Sequence, residues 1–245
     1  NAKEINLVAR GDGSLNEKGE RKLGNINLTH TDLTSRDETG KRIQDSKITL
    51  TANELNIKAG ESNTQFKGRS QSVGVEAGVA ATVGAQTGVG VYARVGASTG
   101  KDDGKSKTYQ ASHLDAQTVT LNSQGNTNII GSQVKGKRVE LNAENLNIES
   151  LQDKSRYHGK QMNVSGSVTV GYGFAAGGSF NKSKINADHA SVNEQAGIYA
   201  GDEGYDINVN KHTDLKGALI TSTQKAEADG KNHFSTGSLT HSDIE

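Results

Sequence analysis

The sequence predicts an all-β chain: a β-solenoid of stacked coils, about 20 residues each, from which two Gly-rich β-hairpins depart. Three observations predict it. Short apolar-x-apolar triplets recur along the 245 residues with polar spacers between them. Two segments alternate Val with Gly over strand-like lengths. Proline is absent, although a chain of this length carries about a dozen at the average usage of roughly 5%. Pro cannot donate to a β ladder, so a chain hydrogen-bonded on both sides along most of its length selects against it.

The triplets come first. Ile5-Asn6-Leu7, Ile26-Asn27-Leu28 and Ile48-Thr49-Leu50 open the chain at steps of 21 and 22 residues. Val119-Thr120-Leu121 and Val139-Glu140-Leu141 are separated by 20. Asn128-Ile129-Ile130, Leu146-Asn147-Ile148, Ile207-Asn208-Val209 and Leu219-Ile220 complete the set. Each has the strand period of two and is too short to make a sheet alone. Stacked coil on coil, the triplets form parallel sheets and their inward Ile, Val and Leu fill a narrow core. Asn and Gly at the corners tolerate left-handed backbone. Asn56 and Asn147 recur at equivalent places, which points to stacked amide ladders.

A longer repeat overlies the short one. Residues 49–57 (TLTANELNI) match 140–148 (ELNAENLNI) at an offset of 91. Each copy runs into a Gly-rich stretch without coil spacing, about 71–100 and about 162–180. Val73, Val75, Val79, Val83, Val89, Val91 and Val95 all lie at odd positions. Val164, Val168, Val170, Tyr172 and Phe174 lie at even ones. We read these as hairpin excursions near 61–110 and 150–185 from a single solenoid over 1–245. The remaining 160 or so residues give on the order of eight coils, nearly 40 Å of axis at about 4.8 Å per coil. Residues 10–24 and 101–108 read as charged, Gly-containing loops. Residues around 225–228 are at best weakly helical.

Composition removes several function classes. Val, Ile, Leu and Phe total only 48 residues, but 28 basic residues balance 28 acidic ones, so the high net charge of a disordered chain is missing. The same balance argues against a nucleic-acid partner. Without Cys there is no disulfide framework, thiolate metal site or Cys nucleophile. No apolar run reaches the roughly 18 residues of a transmembrane helix. The chain begins Asn1-Ala2-Lys3-Glu4, as expected of an internal fragment of a larger protein.

Each site-like motif has a plainer explanation. Gly131-Ser132-Gln133-Val134-Lys135-Gly136-Lys137 resembles a phosphate-binding loop, but Arg138 follows where Ser or Thr would hold Mg²⁺, and a strand-type sequence follows where a helix is required. Gly201-Asp202-Glu203-Gly204-Tyr205-Asp206 is a turn rather than a calcium site, because its acids sit in one loop without the nonapeptide repeat. The seven His residues show no zinc-ligand spacing, and no Gly-x-Ser-x-Gly elbow occurs between a strand and a helix. No catalytic constellation, metal site or cofactor is expected, and the chain reads as non-enzymatic.

Segments 140–150, 157–160 and 164–168 resemble the haemagglutinin repeats of filamentous-haemagglutinin-type exoproteins, as do Gly201–Val209 and His212–Ile220. The tail, Phe234 to Glu245 (FSTGSLTHSDIE), is similar to the end of the second haemagglutinin-repeat region of CdiA-type contact-dependent growth inhibition proteins. The resemblance implies a right-handed parallel β-helix. It also implies a large Gram-negative exoprotein, secreted to the cell surface through an outer-membrane two-partner transporter that binds a domain outside this fragment. In that family the region is thought to engage the target cell's outer membrane, or a surface receptor on it, and to help deliver a C-terminal toxin.

The Val-rich hairpins carry the sharpest expectation. One apolar face on each could meet a bilayer, and the strands exceed the 9–11 residues of a spanning strand. The competing reading has the hairpins fold back and bury their valines on the solenoid. The membrane-interaction candidates are Val73, Val75, Val79, Val83, Val89, Val91, Val95, Val164, Val168, Val170, Tyr172 and Phe174. Toxin delivery, a structural adhesin rod and, third, a polysaccharide-active β-helix enzyme are the functions consistent with such a chain.

Overall fold

The computed structural model describes residues 2–82, 88–171 and 174–244. The chain divides into two units. The first comprises Asn1–Ser62, Thr108–Asp153 and Ser191–Glu245; the second comprises Asn63–Lys107 and Lys154–Ala190.

The first unit is a curled parallel sheet with the stacking of a β-helix. Its triplets form columns in which each residue lies over its counterpart in the neighbouring layers. One column runs Leu7, Leu50, Leu121, Leu141, Ile207, Phe234. A second runs Leu28, Ile57, Ile129, Ile148, Leu215. A third runs Leu33, Leu114, Val134, Ile198, Ile220. Alternation sends every second side chain inward, and the central members, from Leu50 and Ile57 to Ile207, are fully buried. At about 25 cal/mol per Å² of apolar surface removed from water, these columns supply the hydrophobic stabilisation of an otherwise polar chain.

Outward positions are stabilised differently. Asn56 Nδ2 donates to Asn27 Oδ1 at 2.8 Å, and Asn128 Nδ2 donates to Asn56 Oδ1 at 2.9 Å. The register carries this row on to Asn147. A second amide pair joins Asn142 to Asn122 at 2.9 Å. At the corners, buried serines hydrogen-bond backbone groups at the strand ends. Ser112 Oγ donates to the Lys58 carbonyl at 2.7 Å and accepts from the Thr31 amide at 2.9 Å.

Several sequence expectations need correction. Six layers stand in the first column among the described residues, not eight. The step between layers is 20 residues from Val119 to Val139, but 43 from Ile5 to Ile48 and 71 from Ile48 to Val119, because corners accept long insertions at little entropic cost. Ile26-Asn27-Leu28 does not stack between Ile5 and Ile48; it lies under Leu55-Asn56-Ile57 in the second column. Residues 10–24, read as loop, form an antiparallel pair, Arg10–Leu15 with Arg21–Leu23. Residues 101–108, also read as loop, belong to the strand Gly88–Gln110. In both places hydrogen bonding to a neighbouring strand overrides the weak β-propensity of Lys, Asp and Gly. The helical turn is real but minimal: Gln224–Ala228, capped by Thr223 Oγ1, which accepts from the Ala226 amide at 3.3 Å.

Candidate functional site

The second unit is a four-stranded sheet in which Phe174–Ser191, Asp153–Val170, Gly88–Gln110 and Gly60–Thr82 lie side by side in that order. The central pair is antiparallel, with Val91 opposite Val170, Ala93 opposite Val168, Val95 opposite Gly166 and Ala97 opposite Val164. Side-chain contacts fix the outer pairs. Ser72 meets Ser98 at 2.5 Å and the Tyr92 hydroxyl donates to Glu76 Oε1 at 2.8 Å. Ser165 meets Ser179 at 2.7 Å and Arg156 Nε donates to Asp188 Oδ1 at 2.8 Å.

Directly opposite residues share a face, and successive residues alternate faces. Val73, Val75 and Val79 therefore lie on the same face as Val89, Val91 and Val95, and as Val164, Val168 and Val170. All nine are exposed, from 42% for Val168 to 78% for Val73. Met162 and Phe180 extend the patch. Neither is among the membrane-interaction candidates taken from the sequence, although Met162 continues the even-position series of Val164 and Val168. Opposite Val95, Gly166 leaves an open hollow lined also by Ala93, Val168 and Ala176. Val83 and Tyr172 lie outside the described residues; Phe174 begins a described strand, but its side chain is not among them.

Among the described residues, the buried apolar cluster draws no member from this sheet. The sheet is instead consolidated on its other face, where aromatic rings lie across glycines. The Phe66 ring covers Gly104 and the Tyr92 ring covers Gly78, each filling the space a Cβ would need. Phe66 and Tyr157 rings stand 6.2 Å apart. Cross-strand Gly–aromatic packing of this kind stabilises a sheet without a second layer. The Tyr92 phenol is held above its ordinary pKa by the hydrogen bond to Glu76, and that of Tyr157 by its hydrogen bond to Asp102.

Elsewhere the geometry offers little chemistry. The Lys137 of the loop-like motif runs straight into the strand Gln133–Glu149, so no helix N-terminus faces it. Asp202, in the acidic turn, accepts from Thr223 Oγ1 at 2.8 Å. Among the described residues no group of three or more His, Asp or Glu is placed to hold a metal. In the first unit, His113 stands between Asp32 Oδ1 at 2.8 Å and Glu194 Oε2 at 2.6 Å, beside a hollow lined by His30 and Tyr109. Burial opposes its protonation, but the hydrogen bonds to Glu194 and Asp32 prevail and hold its pKa above the ordinary value. No helix is long and apolar enough to cross a membrane among the described residues, which leaves strand-mediated contact open.

Comparison with known proteins agrees with the repeat pattern. A family model described as "Hemagglutinin repeat" matches residues 14–164. A "tRNA nuclease CdiA" of Yersinia mollaretii is 35% identical over 212 residues, 84% of this chain and 7% of that protein. A "Toxin CdiA" of Escherichia coli is 33% identical over 235 residues, 93% of this chain and 7% of that protein. A "Deoxyribonuclease CdiA" of Dickeya dadantii is 34% identical over 197 residues, 78% of this chain and 6% of that protein. The chain thus spans 6–7% of the length of these relatives. No solved structure matches significantly.

Proposed function

The chain belongs to the hemagglutinin-repeat family, and from that premise we propose that it is a non-enzymatic segment of a secreted, cell-surface effector of a Gram-negative bacterium. In this reading the coils are a right-handed β-helix that acts as a rigid spacer. The hairpin sheet contacts the outer membrane of a target cell and helps a C-terminal toxin, outside these residues, to enter. Export runs through an outer-membrane two-partner transporter engaged by another part of the protein. The relatives bear toxin and nuclease names, which in this reading belong to their C-terminal toxin.

The observation that carries the reading is the bare valine face. Nine exposed valines on one side of one sheet form the kind of contiguous apolar patch that marks a protein or membrane contact. The other face carries Ser, Gly and Thr around the rings of Phe66, Tyr92 and Tyr157, with Glu76 and Arg94 paired at 3.5 Å, and both edges of the four-stranded sheet are open. A sheet with open edges cannot cross hydrocarbon, because its edge amides and carbonyls would have no partners. The sheet therefore lies in the interface by its valine face rather than spanning the bilayer.

The test combines two assays. The purified chain is floated with outer-membrane-like vesicles, alone and as the Val75→Ser, Val91→Ser, Val168→Ser variant. The full-length effector is assayed for toxin delivery with and without residues 63–107 and 154–190. Vesicle binding that the valine variant loses, together with lost delivery, supports the proposal. Absence of vesicle binding with undiminished delivery overturns it and leaves the adhesin-rod reading.

A further inference from the structure

We propose that the valine-bearing face of the hairpin sheet also binds the phosphate groups of an anionic lipid surface, through a belt of lysines and arginines beside the valines. This rests on the membrane-contact reading above and names the lipid chemistry it recognises.

The first observation is charge segregation. The whole chain balances to zero, but the hairpin unit holds eleven basic residues against four acidic ones, and the coil unit seventeen against twenty-four. The neutral total conceals a hairpin unit of net +7 and a coil unit of net −7. Whole-chain balance therefore does not argue against an anionic partner.

The second observation is register. Val164, Met162 and Lys160 are spaced by two along one strand and share a face. Lys160 lies opposite Lys101, Arg156 opposite Lys105 and Lys154 opposite Lys107. The outer pairs place Lys182 and Lys184 across from Met162 and Lys160, and Lys67 and Arg69 across from Asp103 and Lys101. Ten of the unit's eleven basic side chains fall on the valine face. Two of its four acids do, Asp103 and Asp188, and Asp188 is taken up by Arg156 at 2.8 Å.

The third is a built hollow. Lys101, Lys160, Lys182 and Lys184 line one depression of about 310 Å³ together with Met162, and its lining contains no carboxylate. Four ammonium groups around one hollow repel each other; an anion with several acceptor oxygens relieves that repulsion. From Val164 to Lys160 is about 13 Å of strand at roughly 3.3 Å per residue, so with the face laid on the surface the cations lie beside the valines, facing the same layer of headgroup phosphates. This pairing of apolar face and basic flank is how proteins read anionic membranes. A soluble polyanion would use the belt but has no use for nine bare valines.

Flotation of this chain with phosphatidylcholine vesicles and with vesicles containing phosphatidylglycerol tests the proposal. The variant combines Lys101→Gln, Lys160→Gln, Lys182→Gln and Lys184→Gln, and its circular dichroism is compared with the wild type. Wild-type chain is expected to bind the anionic vesicles at least about tenfold more tightly, salt and the variant each removing most of that preference, while weak binding to phosphatidylcholine persists. Equal binding to both vesicle types, or an anionic preference untouched by the lysine variant, overturns the belt but leaves membrane contact standing. Binding to neither vesicle overturns both. If single-stranded DNA or a sulfated glycan competes fully and the valine-to-serine variant binds anionic vesicles unchanged, the belt is a polyanion site and the lipid proposal falls.

Discussion

Leu141 offers a direct measure of the energy stored in the stacked columns. It is fully buried between Leu121 in one layer and Ile207 in the next. Leu141→Ala removes apolar contacts on both sides, and the neighbours, fixed by ladder hydrogen bonds, close the space only in part. The expected cost is about 2–5 kcal/mol, a fall in melting temperature of roughly 2–4 °C for each kcal/mol in a chain of this size. Leu141→Asp loses the same contacts and adds a carboxylate with no partner, for a further loss of at least about 1–3 kcal/mol. Burial raises the folded-state pKa of that new carboxyl above its unfolded value, so its extra penalty shrinks as pH falls below the folded pKa and is full above it. The matched control is Val75→Asp on the hairpin sheet. Val75 is 76% exposed, and the same change there costs within about 0.5 kcal/mol. Thermal and urea unfolding followed by circular dichroism, at acid and neutral pH, reads all three. Equal losses for Leu141→Asp and Val75→Asp would refute the division into a buried column and a bare face.

Three further perturbations probe other parts of the structure. Asp115, 3% exposed, accepts from Arg42 Nε at 2.7 Å and is also paired with Arg36; Asp115→Ala is expected to cost about 1–3 kcal/mol in urea unfolding, allowing for the half-exposed guanidiniums, and an unchanged midpoint would contradict the clamp. His113 has a folded pKa raised above its unfolded value by Glu194 and Asp32 against burial, so its contribution is complete below the unfolded pKa of about 6.5 and is lost as pH rises through the folded pKa; His113→Gln should therefore narrow the stability gap between pH 5 and pH 8 in wild type, a gap of the same size in both proteins counting against the pairing. Gly104→Val drives a side chain into the Phe66 ring, with an expected loss of about 1–3 kcal/mol confined to the hairpin sheet, readable as faster amide exchange over 63–107 than in the coils; uniform exchange would exclude the Gly–aromatic account.

Particular residues show how far the sequence reaches. The 91-residue offset between 49–57 and 140–148 turns out to be two layer steps, 71 from Leu50 to Leu121 and 20 from Leu121 to Leu141. The Asn56 and Asn147 recurrence anticipates the amide row. Charged strand residues such as Lys101 and Asp103 were illegible as strand, since their propensities favour loop and only a neighbouring ladder holds them extended.

The sequence by itself determined the period: which residues of each triplet point inward, and which parity the valines share within each Gly-rich segment. That follows from local geometry, because side chains in any strand alternate by two. Only the tertiary structure decided that the odd positions of one segment and the even positions of the other make one face, since pairing register is set between strands and a slip of one residue would divide the valines between opposite sides. It also decided that this sheet has no buried apolar layer of its own among the described residues, and that a chain of no net charge collects its cations on the valine face.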